Sequence, residues 1–142
     1  MRLKVAKTLP WATLPQYAHP DDSGLDLRAA ESVELEPGGS RAIRTGLAIE
    51  LPAGTEAQIR SRSGLALEHQ SVVLNAPGTI DAGYRGEIRV ISINYGRAPF
   101  RVTAGMKIAQ MVVAPVLHPT IEAVERLSET ARGSRGFGSS GN

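Results

Sequence analysis

The chain is a succession of short apolar runs, and no long stretch sustains the 3.6-residue period of an amphipathic helix. Residues that favour β structure cluster in these runs, and turns such as Pro37-Gly38-Gly39 separate them. The pattern predicts strands over residues 3–6, 25–28, 32–35, 41–45, 47–51, 56–60, 72–74, 87–94, 100–103, 108–113 and 120–124. Many short strands at this spacing predict an all-β fold of the sandwich, jelly-roll or barrel type.

One segment has helical rather than strand character. The stretch Gly64-Leu65-Ala66-Leu67-Glu68-His69 contains good helix formers, and Ser63 precedes it as a candidate N-cap. The sequence therefore predicts a single helix of about two turns within an otherwise β-rich chain.

The composition changes near the C-terminus, where glycine and serine replace the bulky apolar residues of the preceding chain. Segments of this composition have too little apolar surface to fold by themselves. We therefore predict a β-rich core over residues 1–127 and a flexible, glycine-rich tail over residues 128–142.

Composition and charge exclude several classes of protein. A chain of 142 residues with 42% hydrophobic and 21% charged residues is typical of one globular domain, and its apolar runs are too short to span a membrane. A net charge of +2 does not require a nucleic-acid partner, and the absence of cysteine excludes disulfides and thiolate chemistry. Because the first residues lack the apolar segment of a signal peptide, we expect a cytoplasmic protein.

Two segments have residues that suit an anion. Arg62, Ser63 and Gly64 lie at the start of the predicted helix, where free N–H groups can bind a phosphate. In the tail, Arg132 and several glycines offer similar donors, and Phe137 adds an aromatic face for a base. Taken alone, each segment also has a structural interpretation, as a helix cap or as a solvated tail.

Two other segments contain carboxylates. Residues 75–87 form a predicted hairpin with a broad tip, where Asn75 offers an amide that can contact a base edge and Asp81 lies on the flank. Asp22 and Asp26 could bind a cation or stabilise a turn. Ordinary turn chemistry explains these residues equally well, so each segment alone leaves both interpretations open.

In order along the chain, these segments resemble the five motifs of the trimeric deoxyuridine triphosphate nucleotidohydrolases (dUTPases). The resemblance covers residues 18–141, and five motifs in order are far more specific than any one of them. Ser23 stands where the family usually has alanine, and Arg135 stands where the tail motif usually has glycine. The counterparts are Ser23-Gly24-Leu25-Asp26-Leu27, Arg62-Ser63-Gly64-Leu65-Ala66, residues 78–87, residues 105–112 and residues 132–141.

The resemblance implies a jelly roll or β-clip type barrel that assembles as a homotrimer. Active sites would be shared between chains, and the tail of one subunit would close the site of another. The implied reaction converts dUTP to dUMP and pyrophosphate with Mg²⁺ on the triphosphate, which lowers dUTP and supplies dUMP for dTTP synthesis. The expected partner is dUTP, with neither a nucleic acid nor a membrane.

The resemblance also assigns roles to individual residues. Asp81 is expected to activate the attacking water, and Tyr84 to pack beneath the deoxyribose. Asp26 is expected to support the metal through water or to stabilise the subunit interface. The other expected substrate contacts are Arg62, Ser63, Gly64 and Gln110 on the phosphates, Asn75, Thr79, Ile80 and Arg89 on the uracil, and Arg132, Phe137, Ser139 and Ser140 from the tail.

Three other functions compete with dUTP hydrolysis. They are a deoxycytidine triphosphate deaminase of related fold, a nucleotide-binding module without catalysis, and a β-trimer without a ligand. The stretch Ile80-Asp81-Ala82-Gly83-Tyr84 and the complete tail favour hydrolysis over deamination. Asp81 also argues against a pure binding module, because binding alone does not need this acid.

Overall fold

Short β-strands joined by turns make up most of the protein, in a computed structural model that describes residues 1–136. The single helix, α1, spans Ser63–His69. The strands are β1 (Lys4–Lys7), β2 (Leu25–Arg28), β3 (Val33–Leu35), β4 (Ser40–Arg44), β5 (Leu47–Glu50), β6 (Thr55–Arg60), β7 (Ser71–Val73), β8 (Gly78–Ile80), β9 (Arg89–Asn94), β10 (Phe100–Val102) and β11 (Lys107–Pro115).

The strands pair antiparallel in four sheets. The largest sheet has the order β2-β11-β6-β8, and the second has the order β4-β9-β7. Two smaller sheets pair β1 with β5 and β3 with β10. The prediction of a mostly β fold with one short helix is confirmed, but the predicted barrel is not closed among residues 1–136. Among these residues β3 and β10 pair only with each other, as do β1 and β5, so no continuous ladder connects the four sheets.

Alternating side chains of these strands form the core. In β2, Leu25 and Leu27 point inward between half-buried neighbours, which is the period-two pattern of a sheet with one covered face. Ile43 of β4 and Val90 of β9 are fully buried in the same cluster. Packing of the core therefore determines which face of each strand stays exposed and can contribute to a binding site.

Two predicted elements differ from the structure. No strand forms over residues 120–124, which are exposed and have no neighbouring strand to pair with in this chain. Conversely, β8 forms within the segment predicted as a hairpin tip, because its three residues pair with β6. The hairpin itself exists, since β7 and β9 are antiparallel neighbours.

The predicted helix is present, but Ser63 is not its N-cap. Arg62 occupies the cap position with extended backbone angles, and its side chain makes no capping hydrogen bond. The helix ends at Gln70, whose backbone adopts the left-handed conformation with φ of 51°. Ser63 therefore begins the helix, and its hydroxyl is not required to satisfy a backbone N–H.

Among residues 1–136, the last strand ends at Pro115, and residues 117–135 are exposed without strand or helix. The division between core and tail at residue 127 stays a prediction. Among residues 1–136, no helix is long and apolar enough to cross a membrane.

Candidate active site

A first cavity, the Arg62 pocket, has a volume of about 300 Å³ and lies where β2, β11 and the start of α1 meet. It unites five predicted site residues from three separate motifs. Its lining consists of Ala18, His19, Asp22, Ser23, Gly24, Asp26, Arg62, Ser63, Gly64 and Gln110.

Asp26 is the buried charge at the base of the Arg62 pocket. Its side chain is 12% exposed and forms ion pairs with Arg62 and with Lys107, whose Nζ lies 2.6 Å from Oδ2. Burial raises the pKa of Asp26, but the hydrogen bond from Lys107 and the charge of Arg62 outweigh it, so the pKa lies below its ordinary value. Asp26 is therefore an anion that holds two cations in place.

This arrangement does not fit direct ligation of Mg²⁺ by Asp26. Each of its carboxylate oxygens already accepts from a cation, which a bound metal would have to displace. Within residues 1–136, no group of three or more histidine or acidic side chains could hold a metal ion. A Mg²⁺ ion bound by phosphate oxygens and water needs no such protein cage.

Contacts with Ser61 and Gly24 position the Gln110 side chain in the Arg62 pocket. Its side-chain Nε2 donates to the carbonyl of Ser61 at 2.9 Å. A Cβ added to Gly24 would lie 2.5 Å from Gln110 Oε1 and 3.1 Å from Gln110 Cβ. The glycine of the first motif therefore allows β2 to approach the Gln110 side chain, and a larger residue would displace it.

A second cavity, the Asp81 pocket, has a volume of about 510 Å³ and lies against β4, β8 and β9. It contains the predicted catalytic residue and four predicted substrate contacts. Its lining consists of Ala42, Thr79, Ile80, Asp81, Tyr84, Glu87, Arg89 and Ile91.

Asp81 follows β8 directly and begins a turn. The Tyr84 N–H donates to the Asp81 carbonyl at 3.0 Å, which fixes the backbone of this turn. The Asp81 side chain is exposed and forms no ion pair with any of residues 1–136. Unlike Asp26, its carboxylate is thus available to a ligand in the pocket.

The Tyr84 ring is held on one wall of the Asp81 pocket. Its hydroxyl donates to the Glu87 carbonyl at 3.1 Å, and the ring lies so close over Gly86 that a Cβ there would overlap it. Glu87 is itself held, because its carboxylate accepts from the Arg44 guanidinium and the Gly46 N–H. Burial raises the pKa of Glu87, but these contacts outweigh it and keep the pKa below its ordinary value.

Five other predicted site residues lie outside the two pockets or beyond the described residues. Asn75 is exposed in the turn between β7 and β8, packed over Gly78, and lines neither pocket. Arg132 donates to the carbonyl of Arg135 within its own exposed segment. The tail positions Phe137, Ser139 and Ser140 lie outside the described residues.

The two pockets divide the predicted site into separate halves. Arg62, Ser63, Gly64 and Gln110 line one, whereas Thr79, Ile80, Asp81, Tyr84 and Arg89 line the other, and the pockets share no lining residue. Within residues 1–136, the predicted phosphate contacts and the predicted nucleoside contacts therefore line different pockets.

The sequence interpretation gave no role to Lys107, Arg44 or Glu87. Lys107 and Glu87 lie within two of the recognised motifs, which is the only signal that could have drawn attention to them. Arg44 and Glu87 are 43 positions apart, so their contact exists only once β4 and β9 pair.

Comparison with known proteins agrees with this arrangement of motifs. The family model for dUTPase matches residues 11–141. The deoxyuridine 5'-triphosphate nucleotidohydrolase of Gloeothece citriformis is 63% identical over 141 residues, covering 99% of this chain and 97% of the relative. The chain therefore belongs to the dUTPase family, as the sequence motifs predicted.

Solved structures of phage enzymes show the same fold. A variant of the Staphylococcus bacteriophage 80alpha dUTPase bound to dUpNHpp has a TM-score of 0.93 and 30% sequence identity, covering 99% of both chains. A variant dUTPase from phage phi11 of S. aureus, described with a structural Mg(II) ion, has a TM-score of 0.84 and 26% identity. It covers 91% of this chain and all of that one.

The ion pairs of Asp26 predict a pH-dependent contribution to stability. Because the pKa of Asp26 is lower in the folded state, the stabilisation is fully present above about pH 5 and is lost as the pH falls below the ordinary aspartate value of about 3.9. Asp26→Asn should lower the free energy of unfolding by on the order of 1–3 kcal/mol at pH 7. Urea denaturation of both proteins between pH 7 and pH 3 should show this difference shrinking.

Asp21→Asn is the matched control, since Asp21 is exposed and lines neither pocket. It should change the stability little at any of these pH values. A deficit of Asp26→Asn that stays constant from pH 7 to pH 3 would contradict the role of the carboxylate charge.

Proposed function

We propose that this protein is a cytoplasmic enzyme that hydrolyses dUTP to dUMP and pyrophosphate, and so lowers dUTP and supplies dUMP for dTTP synthesis. The observation that carries the proposal is the content of the two pockets. One combines a guanidinium, an amide and a helix start, whereas the other combines an exposed carboxylate with an aromatic ring. The first set suits a triphosphate, and the second suits a nucleoside and a reacting water.

The two halves are joined in this proposal by assembly into a homotrimer. In the proposed trimer, the Arg62 pocket of one subunit faces the Asp81 pocket of the next. This arrangement joins two sets of residues that line different pockets in one chain. This arrangement resembles the shared sites expected for the family and accounts for two incomplete cavities in a single chain.

The exposed segment after β11 supports contact between subunits. Among residues 116–136 it has four large apolar side chains that are 56–90% exposed in one chain. Such side chains are normally covered, and covering them on a neighbouring subunit brings the following tail to that subunit's site. The exposed apolar residues are Leu117, Ile121, Val124 and Leu127.

In the reaction, water is added across the bond between the α- and β-phosphates. Asp81 orients this water and takes its proton, so that dUMP leaves with one new oxygen and pyrophosphate with the bridging oxygen. Arg62, Gln110 and the N–H groups at Ser63 and Gly64 hold the phosphates in line. Mg²⁺ bound to the triphosphate supplies further positive charge, without a direct ligand from Asp26.

Substrate choice follows from the walls of the Asp81 pocket. Thr79 and Ile80 of β8 present backbone groups to the uracil edge, and Arg89 and Asn75 complete this contact. The Tyr84 ring beneath the sugar leaves no room for a 2'-hydroxyl. In the tail, Phe137 stacks on uracil, while Arg132, Ser139 and Ser140 bind the γ-phosphate.

The direct test measures product release from dUTP, dCTP, dTTP and UTP, each with and without Mg²⁺. We expect pyrophosphate from dUTP alone, dependent on Mg²⁺. Ammonia from dCTP would instead identify a deaminase. No product from any of the four with folded protein would favour a binding module, which a dUTP titration would then detect.

The Asp81→Asn variant tests the proposed base. Turnover of dUTP should fall by about 10²–10⁴-fold, because an amide cannot take the proton, whereas binding of dUTP should change little. Steady-state kinetics and a titration with a non-hydrolysable analogue measure the two effects. Asp21→Asn is the control, and undiminished turnover in Asp81→Asn would remove Asp81 from this role.

Deletion of residues 130–142 tests the tail. Residues 130–135 are exposed and contribute nothing to the buried core, so the melting temperature should stay close to that of the full chain. The kcat/KM for dUTP should fall by on the order of 10²-fold, because closure over the substrate is lost. A large fall in melting temperature, or unchanged kinetics, would contradict this.

A further inference from the structure

We propose that Glu87, held by Arg44, is a positioning residue that sets the place of the Tyr84 ring and so determines the preference for 2'-deoxyribose over ribose. The inference rests on the proposed function and deepens it. It is carried by the ion pair between Glu87, which lines the Asp81 pocket, and Arg44, which lies outside its lining and outside the five motifs.

The contact between the two side chains is a planar, forked ion pair. Arg44 Nε lies 3.1 Å from both carboxylate oxygens of Glu87, and Arg44 Nη2 lies 3.0 Å from Oε2. The Gly46 N–H donates to Oε1 at 2.9 Å. The Glu87 side chain is only 11% exposed, so its orientation is fixed by three donor groups rather than by solvent.

The ion pair is connected to the pocket through the Glu87 backbone. The Glu87 carbonyl accepts the Tyr84 hydroxyl at 3.1 Å, and the Tyr84 N–H donates to the Asp81 carbonyl at 3.0 Å. The Tyr84 ring is thus tied both to the Glu87 peptide group and to the turn that carries Asp81, so a shift of this turn relative to that peptide group tilts the ring. Among residues 1–136, no side chain hydrogen-bonds the Tyr84 hydroxyl, which donates to the Glu87 backbone carbonyl.

The fold at this point does not depend on the ion pair. The next residue, Ile88, is fully buried, and its N–H donates to the Leu47 carbonyl at 2.7 Å. The Ile88 carbonyl accepts the Thr45 hydroxyl at 2.6 Å. These contacts anchor the start of β9 and also the Glu87 carbonyl, because that carbonyl belongs to the same planar peptide group as the Ile88 N–H. Weakening the Glu87 side chain therefore leaves β9 in place and frees the turn from Tyr84 to the Glu87 Cα to shift about this fixed peptide group.

A loosened Tyr84 ring has different consequences for the two sugars. A ring held flat beneath the sugar excludes an added 2'-hydroxyl by contact, and a ring that can tilt makes room for it. The deoxyribose loses only part of its packing, whereas the ribose gains access. A general weakening of the fold would instead lower activity on both sugars alike.

The experiment compares kcat/KM for dUTP and for UTP in the wild type and in Glu87→Gln. Glutamine keeps the length of the side chain and an acceptor for the Gly46 N–H, but it loses the charge that binds Arg44. We expect the ratio of the dUTP value to the UTP value to fall about tenfold, with UTP activity rising relative to dUTP. An unchanged ratio in folded Glu87→Gln overturns the inference.

Two further variants keep the test decisive. Arg44→Lys changes the other partner, outside the lining of the pocket, and removes the planar fork, so the ratio should fall in the same direction even if Glu87→Gln does not fold. Glu34→Gln removes an exposed carboxylate on β3 and should leave the ratio unchanged. A fall of the same size in Glu34→Gln, or none in Arg44→Lys, overturns the inference.

The double variant Glu87→Gln/Arg44→Lys tests whether the two residues act as one unit. Its ratio should be no lower than that of the more impaired single variant, whereas independent effects would multiply and overturn the inference. Wild-type protein that releases no pyrophosphate from dUTP refutes the proposed function itself, and this inference with it. Wild-type activity with unchanged ratios in folded variants refutes only the role of the ion pair.

Discussion

The position of β11 between β2 and β6 is the constraint on which the Arg62 pocket depends. In this sheet Gln110 is paired with Asp26 on one side and with Arg60 on the other. The register therefore places the first and fourth motifs side by side. The second motif starts just after Arg60 and so lies next to them, although the three motifs are far apart in the sequence. A slip of one residue would turn Gln110 to the opposite face of the sheet.

An irregularity in the same strand brings Lys107 into contact with Asp26 at the base of the pocket. The register with β2 shifts between Lys107 and Ala109, and the two residues Ile108 and Ala109 are buried in succession. In a regular strand Lys107 and Gln110, three positions apart, would point to opposite faces. The extra residue places both Lys107 and Gln110 on the face of the sheet that holds Asp26. The Asp26 carboxylate can therefore form ion pairs with Lys107 of β11 and with Arg62 at the start of α1.

Much of the fold could be predicted from the sequence because its strands are local patterns. The strand predicted over residues 25–28 has the same bounds as β2, and the helix was predicted from residues that favour helical structure. β8 was missed because Gly78 and Thr79 have no strand pattern, and only pairing with β6 makes them one. Residues 120–124 have strand composition but no partner, so composition alone was misleading there.

The motifs identified residues of the candidate site, but they did not indicate which of these residues contact one another. Arg62, Asp26 and Gln110 could be chosen from the motifs, yet the ion pairs of Asp26 could not, since they require the sheet register. The support of a metal through water by Asp26 stays a prediction, whereas its two ion pairs are visible only once the strands are in register.

Charge balance limits what the Arg62 pocket of one chain could contribute to the proposed binding of a triphosphate. Arg62 and Lys107 contribute two positive charges to its surroundings, but Asp26 and Asp22 offset them. A bound triphosphate would thus remain largely uncompensated, at a high cost once water is excluded. In the proposed function this charge comes from outside the pocket, from a metal carried by the substrate and from an arginine of the tail. Neither the metal nor the arginine alone would offset a triphosphate, so closure and metal binding act together in this proposal.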